Sequence, residues 1–178
     1  IMEKYVNDPV INFGLRMLRT IFISIVVAVA VSFIIGTPLK TIIFLALMIP
    51  LRQYAGGFHL RSRAGCAVLS ILILVGVSLV IKYVAIPGMI QVIMMICGSA
   101  TIIAFSPVDN PSNRLDKDTK TVFKRKAMLI LGVESLAFMV LYLLKLTSYS
   151  QLVAISATLT ALLLLSGMLS DLVDEERG

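Results

Sequence analysis

The sequence predicts an all-α integral membrane protein of about six transmembrane helices, with a short second span leading into a polar loop on the cytoplasmic side. Three observations carry this expectation. Of 178 residues, 58% are hydrophobic and 15% charged, with a mean hydropathy of +0.98, far from the balance of soluble domains. The apolar residues fall into runs that can cross a ~30 Å hydrocarbon core as helix. The cations lie between those runs and are distributed unevenly between the two sides.

In chain order, the mixed stretch Ile1–Arg19 comes first. It lacks the small-residue cleavage site of a secretory signal, so its removal is not expected. Leu15–Ile35 makes a first span, closed by Gly36-Thr37-Pro38, with Arg16 and Arg19 snorkelling to the interface. The second run, Leu39–Leu51, reaches only about 20 Å as helix. Pro50 marks an expected break, and Arg52–Gly57 then falls at membrane depth, shielded by protein. Ala64–Val84, Pro87–Phe105, Ala127–Leu146 and Leu152–Leu169 supply four more spans. Six crossings put both termini on one side. Thirteen of the sixteen Lys and Arg residues then share that side, leaving Lys40, Lys82 and Lys145 opposite. The positive side is cytoplasmic, which makes this a multi-pass membrane protein with both termini in the cytoplasm. No repeat or low-complexity tract divides the chain, so residues 1–178 are read as one membrane-embedded domain.

Composition also excludes. The net charge of +6 sits in loops between spans, so nucleic acid is not an expected partner. Two cysteines on different segments make no disulfide framework. One histidine and two distant cysteines offer too few ligands for a metal site. Glycine-rich nucleotide-binding patterns are absent. No cofactor is expected.

Chemistry concentrates in RQYAGGFHLRSRAGC, Arg52 to Cys66, which holds the sole histidine, His59, and the cysteine Cys66. The thiolate is the attacking form of cysteine, and imidazole is suited to take its proton. Arg52, Arg61 and Arg63 add a positive field that favours the thiolate. On one straight helix His59 and Cys66 would lie about 10 Å apart, too far for a hydrogen bond. Gly56, Gly57 and Gly65 permit turns that would bring them together. The competing reading is a basic membrane-edge loop with an incidental histidine and a small apolar cysteine.

Other polar residues weigh differently. Cys97, within MMICGSA, reads as a buried small hydrophobe. Gln91 reads as an interhelical hydrogen-bonding residue. Glu134, inside the fifth span, reads first as half of a structural pair and second as a catalytic group. The run Arg114–Lys126 ends in Lys124-Arg125-Lys126, suited to anionic lipid headgroups or to an acidic peptide tail. A catalytic serine lacks a second histidine to serve it.

The spacing of Arg52, Gly56-Gly57, His59 and Cys66 resembles the R-x-x-x-G-G-x-H-x-x-x-x-x-x-C signature of the accessory gene regulator B (AgrB) family, membrane endopeptidases that process peptide pheromone precursors. Ser70 sits where that family tends to carry a serine. FSPVDNPSNRL, Phe105 to Leu115, looks like the family's A-P-V-D-x-x-x-x-P loop, which ends in Leu or Ile. Ser106 and Arg114 replace its alanine and second proline, and Leu60 replaces the alanine after the histidine. The resemblance implies a cysteine endopeptidase of quorum sensing. Cys66 would be the nucleophile and His59 the base, and the enzyme thioester would be captured within the peptide to give a cyclic thiolactone or lactone. It implies a small precursor peptide as partner beside the bilayer, with a homodimer possible. Arg52, Gly56, Gly57, Ser70, Lys124, Arg125 and Lys126 would bind substrate or shape the loop. The alternative from another class is a non-enzymatic peptide exporter or scaffold.

Overall fold

The computed structural model describes residues 22–23, 25–56, 63–108 and 117–175, with side chains over 22–23, 25–56, 68–108 and 119–169. The described residues form six helices and no strand. These are α1 Ile25–Ile35, α2 Pro38–Ala55, α3 Arg63–Tyr83, α4 Gly88–Phe105, α5 Lys117–Leu143 and α6 Thr147–Glu175. Three stretches, Gly88–Phe105, Thr119–Leu143 and Thr147–Leu169, are long and apolar enough to cross a membrane, and α1 and Val68–Tyr83 are shorter apolar helices. Large side chains such as Ile96, Ile103, Leu129, Leu136 and Leu143 are exposed on the outer faces. Those faces suit hydrocarbon as solvent and not water. The chain is an all-α membrane protein.

Local chemistry sets the boundaries. Gly36 takes a left-handed φ of 85°, and the N–H groups of Gly36 and Thr37 return to the carbonyls of Phe33 and Ser32 at 3.1 and 2.9 Å. That satisfies the last carbonyls of α1. Pro38 then opens α2, where its missing N–H costs nothing. Lys145 plays the role of Gly36 after α5, with φ 58° and bonds from Lys145 and Leu146 back to Tyr142 and Leu141.

The described residues pack as two compact units. One contains α1, the start of α2 and α3, and within it the Thr41 and Ser78 hydroxyls share a 3.2 Å hydrogen bond. The other contains the rest of α2 with α4, α5 and α6. Here α6 is central: 61% of its spanning stretch is buried, against 22% for α4 and for α5. Small residues make this possible. Ala154, Ala157 and Ala161 line a face of α6, and a Cβ on Gly98 of α4 would lie 3.0 Å from the Ala157 carbonyl carbon. In lipid, helix association rests on such close backbone approach and on interhelical hydrogen bonds. On α4 the buried stripe is Gln91, Met95, Gly98 and Ile102. On α5 it is Ala127, Leu131, Glu134 and Phe138.

Gln91 behaves as the sequence predicts. The Ser150 hydroxyl donates to its Oε1 at 2.7 Å, and its Nε2 donates to the Ile86 carbonyl at 2.8 Å. Next to it, Gln151 donates to the Val84 carbonyl at 2.9 Å and accepts from the Ile86 N–H at 3.3 Å. Two buried amides thereby satisfy the backbone of the connection between α3 and α4.

Four expectations change. Pro50 lies inside α2, which runs on to Ala55; the full burial of Leu51 and Ala55 offsets the ~3 kcal/mol an interior proline costs. Gly65 is helical, within α3, and does not mark a turn. The run Lys117–Lys126 is the head of α5 and not a loop, because Lys and Arg are good helix formers even where hydropathy falls. Cys97 is exposed, on the α4 face turned away from the buried stripe, where a small apolar side chain meets lipid.

The tight α4–α6 approach gives a direct test. Gly98→Leu should destabilise the chain by about 2 kcal/mol or more, because the facing atoms are backbone and cannot yield as a side chain would. Thermal unfolding in detergent should show the loss, whereas Cys97→Leu, one residue away on the outer face, should change the midpoint little.

Candidate functional site at the end of α2

Three stretches of the second unit meet at one end of it: the last turn of α2, the residues following α4 and the first turns of α5. Gly56 ends α2. Its N–H closes the helix on the Arg52 carbonyl at 3.1 Å and its φ is +81°, a conformation that strains any residue with a Cβ. Space forbids a side chain there as well, since a Cβ would lie 2.5 Å from the Val108 carbonyl oxygen. The approach is fixed by a backbone bond from the Val108 N–H to the Ala55 carbonyl at 3.2 Å. The two stretches singled out in the sequence, one beginning at Arg52 and the other at Phe105, are therefore joined backbone to backbone.

The third stretch is held by aromatic contacts. Tyr54 meets Phe123 edge to face, with ring centroids 5.5 Å apart and planes at 85°, within the favoured range for such pairs. The Lys126 ammonium lies 5.0 Å from the Tyr54 ring centroid, close enough for a cation–π contact. Phe123 and Lys126 are three residues apart and share a helix face, above the fully buried Ala127. Lys124 and Arg125, exposed like Lys126, point elsewhere around the helix.

Each predicted site residue has a definite standing. Arg52 is half-buried in the last turn of α2. Gly56 sits at the junction with Val108. Cys66 is the fourth residue of α3, and Ser70, half-buried, lies one turn later in the same helix. Gly57, His59 and the Cys66 side chain lie outside the described residues, as does their mutual geometry. Lys124, Arg125 and Lys126 lie on the first turns of the described helix α5. Tyr54, Phe123 and Val108 were not singled out by residue chemistry, although a basic triplet beside one aromatic and a second aromatic next to a charged loop were the visible traces. Among the described residues no three His, Cys, Asp or Glu side chains cluster to hold a metal.

The pairing expected of Glu134 is not seen among the described residues. Glu134 is buried on α5, and neither carboxyl oxygen has a hydrogen-bond partner among the described residues.

The AgrB family model, accessory gene regulator B, matches residues 1–165. The chain belongs to the accessory gene regulator B family. Curated relatives agree with this: Putative AgrB-like protein 2 of Clostridium perfringens strain 13 is 28% identical over 134 residues, covering 70% of this chain and 61% of the relative. Putative AgrB-like protein of Clostridium perfringens strain SM101 matches to the same extent. The match thus spans about three fifths of the relatives' length. No solved structure matches the chain.

For an AgrB-family protein, the junction of Gly56 with Val108 explains why a glycine stands beside the histidine-bearing stretch. Gly56→Ala should lower stability by about 1–3 kcal/mol, from the left-handed φ together with the displaced carbonyl. Thermal unfolding of the purified variant measures it. A wild-type midpoint would mean that α2 and Val108 do not meet as described.

Proposed function

We propose that this chain is a membrane cysteine endopeptidase of quorum sensing, cutting a small pheromone precursor and passing through a thioester on Cys66 to a cyclic thiolactone or lactone. The observation that carries the reading is the junction of the two family motifs at the end of α2, through the Val108–Ala55 bond. The stretch bearing His59 follows directly in the sequence. In this mechanism His59 takes the Cys66 thiol proton, the sulfur adds to the scissile carbonyl, and the same proton leaves on the departing amine. A thiol or hydroxyl of the peptide then displaces Cys66, forming the ring and regenerating the thiol. The first turn of a helix presents unpaired N–H groups and a positive dipole end, which favour a thiolate placed there. Cys66, fourth in α3, occupies such a place.

The substrate side follows from charge. The exposed Lys124 and Arg125 at the head of α5 suit an acidic tail of the precursor, with Arg52 suited to a peptide carboxylate or to shaping the loop. The termini, the His59–Cys66 loop and the head of α5 are assigned to the cytoplasmic side by the distribution of Lys and Arg. The partners proposed are the precursor peptide and the bilayer, with a second copy of the chain as a further candidate.

Cys66→Ala and His59→Ala should each abolish precursor cleavage while membrane insertion persists, and Cys97→Ala should be nearly silent. Mass spectrometry of the peptide made on co-expression with the small open reading frame adjacent to the gene reads this out. Cleavage surviving Cys66→Ala would remove the thiol mechanism and leave the exporter or scaffold reading.

Labelling of single introduced cysteines checks the topology. Positions 61–63 and 114–126 should be protected from an impermeant reagent in intact cells, and positions 82 and 145 should react. Finding 82 and 125 on the same side would overturn the six-span arrangement.

A further inference from the structure

The three cations Lys124, Arg125 and Lys126 look interchangeable in the sequence, and the structure separates them. Among the described residues only Lys126 of the three is placed over an aromatic ring, 5.0 Å from the centroid of Tyr54. That ring is also braced edge to face by Phe123 at 5.5 Å. Tyr54 lies between Arg52 and Gly56 in the last turn of α2, next to Ala55, whose carbonyl accepts from Val108 at 3.2 Å. Around an α-helix, Lys124 and Arg125 are turned from Phe123 by about 100° and 200°, whereas Lys126 returns to within about 60° of it. A cation over an aromatic face is attracted by the ring quadrupole, and a lysine used this way lends its charge to an intramolecular contact.

We propose that Lys126 is a positioning residue. Its ammonium, held over the Tyr54 ring, pins the last turn of α2 to the head of α5 and so sets where the stretch carrying His59 begins, while Lys124 and Arg125 remain to meet an acidic substrate. The proposal rests on the reading of that stretch as catalytic. Its chemical consequence is a division of labour. Loss of a substrate contact made equally in ground and transition states raises KM, whereas loss of alignment at the reacting groups lowers kcat. Tyr54 and Lys126 should act as a unit, with Phe123 supporting the ring.

Two experiments on the full chain in nanodiscs decide the matter. The first needs no catalysis: Tyr54→Cys with Lys126→Cys, in a Cys66→Ala, Cys97→Ala background, is treated with a short bismaleimide. An intramolecular cross-link is expected. Its absence, when Tyr54→Cys with Phe123→Cys also fails to link, overturns the contact whatever the chain's activity. The second measures kcat and KM on the precursor peptide encoded beside the gene. Lys126→Gln and Tyr54→Ala should each lower kcat by about tenfold with KM within about twofold. Combining them should cost little more than either alone. Lys126→Arg and Tyr54→Phe, which keep a cation and a ring face, should restore most of kcat. Lys124→Gln with Arg125→Gln should raise KM instead. Additive losses, a Tyr54→Phe defect equal to that of Tyr54→Ala, or a Lys126→Gln effect confined to KM would each overturn the positioning role. Cleavage that survives Cys66→Ala would instead count against the thiol mechanism, and the cross-link would still report on the contact.

Discussion

The second unit depends on how closely α4 can approach α6. Between helices in lipid there is little hydrophobic drive, because a lipid tail solvates leucine as well as another helix does. Contact area and hydrogen bonds must supply the attraction. Gly98 facing the Ala157 backbone, with Ala154 and Ala161 along the same helix, brings the two axes near enough for both. At that separation Gln91 reaches Ser150, and the Thr158 hydroxyl donates to the Met94 carbonyl at 3.2 Å. With α4 seated, Leu131 and Phe138 of α5 join the same apolar cluster, together with Leu51 and Ala55 of α2. The end of α2 is thereby tied into the core.

This arrangement gives the unit two different ends. The connection between α3 and α4 and the turn between α5 and α6 lie at one end, tied by buried amides: Gln151 serves the Val84 carbonyl and Gln91 serves that of Ile86. The residues after α4 and the head of α5 lie at the other, an α4 length away, roughly 27 Å. There the ties include a backbone bond, an aromatic pair and a cation over a ring. Such contacts are individually worth about 0.5–1.5 kcal/mol.

How much of this was legible follows from the physics of each signal. Apolar runs reveal the centres of spans, because hydropathy is a property of composition and survives without any contact being known. It fails at the edges. The head of α5 is helical and charged, so a hydropathy reading begins the span at Ala127 although the backbone begins the helix at Lys117. Pro50 misled for the opposite reason, since a local rule was outweighed by burial of Leu51 and Ala55. Gln91 was legible because an amide in an apolar run has few alternatives to an interhelical partner. The side that Cys97 faces was not, because burial or exposure depends on which stripe of α4 meets α6. The contacts of Tyr54 with Phe123 and Lys126 join residues far apart in the chain. No local pattern announces them, although the motifs flanking both ends were visible.

Glu134 is the place where the core's own logic is incomplete. It occupies the buried stripe of α5 between Leu131 and Phe138, whose side chains join the cluster formed with α6. It lies nine residues before the end of α5, and Ser156 lies nine after the start of α6, so antiparallel helices bring the two to the same depth. The hydroxyls of Ser156 and of Thr160, one turn further on, are buried without partners among the described residues, as are both Glu134 oxygens. A polar group left unmatched in such surroundings costs about 1–3 kcal/mol, and more for a charged one. An apolar residue there would extend the Leu131–Phe138 stripe without that cost, as Leu131 and Phe138 do on either side. The same helix whose head braces the end of α2 thus carries, at mid-depth, a group that packing alone does not account for.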